Sequence, residues 1–419
     1  MLPQKGIVLN RLNTPIQPNI LDLIDFCKGF FILWIVYFHF NKGDGVGWQG
    51  VHPFIVFSGF GLTYSCLVKR DQEINWKQWF LKRAQRILPA YWVVCFLGLL
   101  LAIGVTAYSQ ESCNLRDCGL RQTMQFFLEV SFLKVLSYRT MWSLFHLDHM
   151  WFVPLIVSLY AIFPLLFKFL VAQGDITKNC IRLLCIAVLA EFFYRFLAIY
   201  LLDGFPIGYE NALFGIPTPP ALDSLPAWFP FQSYMPFGLF PSRIGEFVLG
   251  MFLAVAFVYH HKKLNQIFSG WMVGAGVLVW VIGCAFVYIN RIGWVASDFL
   301  IALGLVLVCV NLAWISQKHS SFVFSRLSIL GVWSYCVYLT HNLLKYAWFP
   351  VEERVISFLS SLPNSAPYSL ILVFKTKVTM LVIFGLATLL ASWLLMKFDR
   401  SKLPKWLIEN TIARVLSVS

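Results

Sequence analysis

Charge is what this sequence has least of. Asp, Glu, Lys and Arg make up 13% of its 419 residues, against roughly 25% in a soluble domain. So few charges do not cover a core of this size in water, and the apolar surface has to meet lipid. Acidic residues are the scarcer sign, 20 against 33 Lys and Arg. The basic excess falls in short clusters between apolar runs and forms no single stripe, which speaks for membrane topology and against a nucleic-acid partner. Pairs at CxxC spacing and Cys/His groups at zinc spacing are both missing, so no metal is expected. Eight of the ten cysteines lie in or beside apolar runs, where Cys behaves as a small hydrophobe. Cys113 and Cys118 fall in a polar loop, and a disulfide between them requires an oxidising compartment. The polar start MLPQKGIVLNRLNTPIQPN has no signal-peptide pattern, so the first span is read as retained.

What is there, in quantity, is long hydrophobic runs. A helix needs about 20 mostly apolar residues to cross a bilayer. Such stretches occur near 20–40, 49–68, 89–107, 150–171, 181–202, 241–259, 270–289, 295–315, 328–348 and 370–396. The run 120–142 is interrupted by Glu129, Lys134 and Arg139 and reads as an interfacial helix. With the N-terminus inside, most Lys and Arg fall in inner loops. The expected fold is an all-α integral membrane protein of about ten transmembrane helices with both termini cytoplasmic. Residues 1–19 form a cytoplasmic tail, 20–396 the membrane domain and 397–419 a basic cytoplasmic tail. The loop 203–240 has no Lys or Arg, is broken by Pro and Gly, and offers Trp228, Phe229, Phe231 and Tyr234 to the interface or to a sugar.

An ionisable group inside a span is costly unless paired or wet, so each one is a functional candidate. The first span, LDLIDFCKGFFILWIVYFHF, carries Lys28 and His39 eleven residues apart. At 100° and 1.5 Å per residue they share one helical face to within about 20° and stand about 16 Å apart. Asp25, one turn before Lys28, is a pairing partner; a Lys that snorkels to the inner interface fits the same geometry. In the second span, Ser58-Gly59-Phe60 permits close approach of a helix or a ligand. The loop that follows ends in Lys82, Arg83 and Arg86 just before Pro89, a cluster suited to polyphosphate or to anionic lipid. Arg243 and Glu246, at i and i+3, are placed to pair. His146, Asp148 and His149 precede Trp151 as a polar boundary or an acceptor contact, and His341 lies within the ninth span.

In order along the chain these segments resemble the membrane-bound acyltransferase family 3, integral enzymes that modify surface glycans. IDFCKGFFILWIVYFHF resembles its first-span motif of Arg or Lys, ten residues, then His. FIVFSGF resembles its second-span SGF, and FLKRAQRILPAYW its Arg-x-x-Arg, Pro, Tyr, Trp segment. HMWFVPLIVSLYAIFPLL, PSRIGEFVLGMFLA and YCVYLTHNLL resemble later, looser motifs. Two departures stand out: Lys28 replaces the commoner Arg, a point charge in place of a fork, and Pro154 stands near where one branch of the family has Glu.

The resemblance implies transfer of an acyl group, most often acetyl, from cytoplasmic acyl-CoA to a hydroxyl of an extracytoplasmic or lipid-linked carbohydrate. His39 would act as general base or carry the acyl group as an acyl-histidine, with Ser58 orienting it or the acyl carbonyl and Lys28 a further catalytic candidate. Lys82, Arg83, Arg86 and Lys28 would hold the donor phosphates. Asp25, Trp151, Arg243, Glu246 and His341 are further candidates. No permanent cofactor is implied; acetyl-CoA is a co-substrate, the partners are the acceptor glycan or glycolipid and the bilayer, and a homo-oligomer is compatible. The location implied is the cell's inner (plasma) membrane. The alternative is a transporter or flippase for a lipid-linked sugar or small acid, although no paired halves with matching broken spans are visible.

Overall fold

The computed structural model of the chain describes residues 20–40, 47–69, 73–109, 115–136, 147–201, 239–267, 270–289, 292–360 and 366–402. Within them the secondary structure is helical and no strand occurs. The helices are α1 Ile20–Phe40, α2 Val51–Val68, α3 Trp76–Ser109, α4 Leu115–Val130, α5 Phe152–Leu170, α6 Ile176–Leu201, α7 Ile244–Ile267, α8 Gly270–Ile289, α9 Gly293–His319, α10 Ser321–Ser360 and α11 Ala366–Arg400.

Among the described residues, nine helices are long and apolar enough to cross a membrane, and they coincide with nine of the ten stretches expected. The tenth stretch is α1, 21 residues bearing Asp22, Asp25 and Lys28. Large apolar side chains such as Leu165, Leu189, Trp271, Leu278 and Leu386 point outward. A bilayer receives such a surface; water would not. This is a multi-pass membrane protein.

Some boundaries differ from the reading of the sequence. The basic segment before Pro89 and the span after it form the single helix α3, because Pro89 removes one backbone donor without stopping the helix. In α7 the backbone leaves helical geometry at His260, one residue past the expected end of the span. At the start of α6, the Asp175 side chain accepts the backbone N–H groups of Thr177 at 2.7 Å and Lys178 at 3.3 Å. These two bonds cap the helix and hold the Asp175 carboxyl below its ordinary range. Of the segment 120–142, residues up to 136 are described and belong to α4 and a 3-10 turn, Leu133–Leu136, with Leu120, Met124 and Phe127 outward; Arg139 lies outside the described residues. Glu129 and Lys134, which interrupt its sequence, face inward and pair at 2.7 Å. Cys113, His146 and nearly all of the 203–240 loop lie outside the described residues.

Two glycine contacts fix the packing around the site. Gly29 and Gly331 let α1 and α10 meet backbone to backbone: a Cβ on Gly29 would strike the Leu327 carbonyl, and one on Gly331 the Asp25 carbonyl. Gly59 and Gly250 do the same for α2 and α7, against Phe247 and Val56. Without a hydrophobic drive between helices in lipid, such close van der Waals contact is what holds them together. Gly59 of the SGF sequence therefore serves helix packing.

Candidate functional site

A cavity of about 480 Å³ opens between α1, α2, α3, α5 and α10. One end is walled by Asp25, Lys28, Arg83 and Arg86. Lys28 and Asp25 are 3.4 Å apart, one helical turn on α1, and the Arg83 guanidinium lies over the Trp79 ring at 5.4 Å. Three cations against one carboxylate leave this end positive, so it attracts an anion. The Arg83 Nε is buried and has no hydrogen-bond partner among the described residues. Between the ends the wall is mostly apolar, with Phe54, Phe57 and Ile156, and with Ser58 as a polar group on it.

The other end is walled by Ile35, Phe152 and Tyr338. Tyr338 packs against two imidazoles, His149 at 5.3 Å and His341 at 6.0 Å between ring centroids. Its hydroxyl donates to the His149 carbonyl oxygen. His39 completes the group, 5.1 Å from His341 and 6.2 Å from His149. His149 and His341 are in turn 5.0 Å apart. Three segments distant in sequence thus bring three histidines together: the last turn of α1, the 3-10 turn Asp148–Trp151, and α10.

Each ring is placed by local structure. His39 follows from the helical period that puts it on the Lys28 face. The His341 Nδ1 meets the Val337 and Tyr338 carbonyls at 3.1 and 2.8 Å. His149 is placed by its neighbours: Asn342 reaches its Nδ1 at 3.1 Å, and Lys134 donates to the Leu147 carbonyl at 3.1 Å. Lys134 is itself held by Glu129, which also accepts the Tyr91 hydroxyl at 2.9 Å.

The expected site residues divide by location. Lys28, Asp25, Ser58, Arg83 and Arg86 share the cavity wall, and His39 and His341 share the histidine group. Lys82 is exposed on α3 and absent from the wall. Trp151 packs beside Phe152, 6.1 Å between ring centroids. Arg243 and Glu246 pair at 2.8 Å in a separate buried network. There Glu246 meets His52 at 3.1 Å, Asp298 meets both Arg243 and Arg195, and Glu191 accepts the Gly245 N–H at 2.8 Å. His52, Glu246 and Asp298 lie close enough for a metal. The two arginines already occupy the carboxylates, so the chemistry of this donor set is that of an ion-pair lock joining α2, α6, α7 and α9.

The sequence reading missed His52, Arg195, Asp298, Glu129 and Lys134. Arg195 and Asp298 carried the same signal as Lys28, a charge within a span.

Compared with known proteins, the chain matches the acyltransferase family 3 model, an acyltransferase domain, over residues 21–397. No curated protein and no solved structure matches it.

Proposed function

The chain belongs to acyltransferase family 3, and from that premise we propose that it moves an acetyl group from cytoplasmic acetyl-CoA to a hydroxyl of an extracytoplasmic or lipid-linked carbohydrate, in the cell's plasma membrane. The observation that carries this reading is a single cavity with cations at one end and the histidine group beside the other. CoA joins a polyanionic head to a long arm ending in the thioester. Arg83, Arg86 and Lys28 suit the phosphates, with each Arg able to take two phosphate oxygens at once. The mostly apolar wall suits the arm.

The reaction follows from neutral imidazole chemistry. His39 takes the proton of the acceptor hydroxyl, and the oxygen attacks the thioester carbonyl. The C–S bond then breaks, and the CoA thiolate leaves with the proton that His39 received. Bonds and protons balance without a further reactant. An acyl-histidine relay differs only in that His39 attacks first and the hydroxyl second.

A transporter needs charges free to line a path, whereas the buried Arg195 and Arg243 are paired with Asp298 and Glu246. Purified protein in lipid nanodiscs with labelled acetyl-CoA separates the readings. An acyltransferase passes label to carbohydrate or slowly to water; a transporter leaves the thioester intact.

A further inference from the structure

The three imidazoles do not carry their protons alike. The His341 Nδ1 faces two backbone carbonyls. A carbonyl only accepts, so this nitrogen is protonated, and in the neutral ring the His341 Nε2 is then a bare lone pair. The His149 Nδ1 faces the Asn342 amide nitrogen at 3.1 Å. An amide NH₂ only donates, so the His149 Nδ1 accepts and the proton sits on Nε2. Both Nε2 atoms are buried and have no hydrogen-bond partner among the described residues. His149 as a whole is 4% exposed and His341 is fully buried. A buried N–H without an acceptor is held at a cost. Here it stands 6.2 Å, ring to ring, from the histidine assigned as base.

We propose that His149 is a further catalytic residue, its Nε2–H donating a hydrogen bond to the thioester carbonyl oxygen as negative charge develops there, with Asn342 the positioning residue that fixes this tautomer. The inference rests on the acyltransferase reading of the site. As the hydroxyl adds, the carbonyl π pair moves onto oxygen, and a donor already oriented in a water-excluded pocket stabilises that oxygen without reorganising. His341, with a lone pair at Nε2, does not serve as that donor. His149 is further pinned through the Leu147 carbonyl, held by Lys134, and its own carbonyl, held by Tyr338.

The test compares His149→Leu, His149→Gln and Asn342→Leu in nanodiscs, reading acetyl transfer, acetyl-CoA affinity and thermal unfolding. His149→Leu removes the donor and is expected to lower kcat by about 10²–10³-fold, as for loss of an oxyanion donor elsewhere, with acetyl-CoA affinity unchanged. His149→Gln keeps an amide N–H near the same place and restores at least tenfold of that loss. Asn342→Leu leaves the ring but frees its tautomer, and lowers kcat less than His149→Leu does. A His149→Leu protein that binds acetyl-CoA and transfers at the wild-type rate overturns the proposal. A His149→Gln protein as slow as His149→Leu does so too, since proton transfer, which Gln does not perform, would then be the role. A wild-type protein that transfers nothing from acetyl-CoA overturns the proposed function, and this inference with it.

Discussion

The Cα of Gly331 in α10 lies against the backbone carbonyl of Asp25 in α1 with no room for a side chain between them. That contact sets α1, and with it Lys28 and His39, against the helix that bears Tyr338 and His341.

Filling this contact is expected to unfold the site. Overpacking a core costs about 1–3 kcal/mol, and Gly331→Leu meets backbone that does not rotate away, so at least the upper end of that range is expected. Gly385, with nothing within 4 Å of its would-be Cβ, is the control. Thermal unfolding in detergent should show a clear loss for Gly331→Leu and little change for Gly385→Leu.

Neighbouring cations at the positive end of the cavity should behave differently. Arg83 and Arg86 line the cavity and Lys82 does not. Hydrogen bonds to charged groups are worth about 1.5–3 kcal/mol each, so Arg83→Ala and Arg86→Ala should each weaken acetyl-CoA binding roughly tenfold or more. Lys82→Ala should leave it within about twofold on the same scale. Isothermal titration in nanodiscs reads all three.

Behind His149, the Glu129–Lys134 pair is buried on both sides. Removing one partner of such a pair typically costs about 3–5 kcal/mol, whereas replacing both with apolar groups is often neutral. Glu129→Leu alone should therefore lower the unfolding temperature strongly, and Glu129→Leu with Lys134→Met should recover much of it. Equal losses in the single and double variants would remove the ion pair from the account.

Sequence alone reveals the spans, because hydropathy over 20 residues is a local property, and it reveals the Lys28–His39 stripe, because the helical period is fixed. The glycine contacts are hidden in it: Gly331 and Asp25 are about 300 positions apart, and nothing local says that their backbones touch. His149 looks like a polar boundary because its direction depends on the 3-10 turn, on Asn342 and on Lys134, three separate segments. Glu129 and Lys134 look like interruptions of an apolar run for a related reason. Two opposite charges that would each disfavour burial make a buried pair only once the chain has turned at Phe132, whose φ of 64° puts it in the left-handed region.

The role proposed for His39 is activation of the acceptor hydroxyl. Its most direct test is the transfer of labelled acetyl from acetyl-CoA to surface carbohydrate by membranes containing equal amounts of wild-type or His39→Ala protein. General acid–base catalysis contributes about 10²–10⁴-fold, so transfer should fall by that order with acetyl-CoA binding retained. Transfer by His39→Ala at the wild-type rate would contradict it.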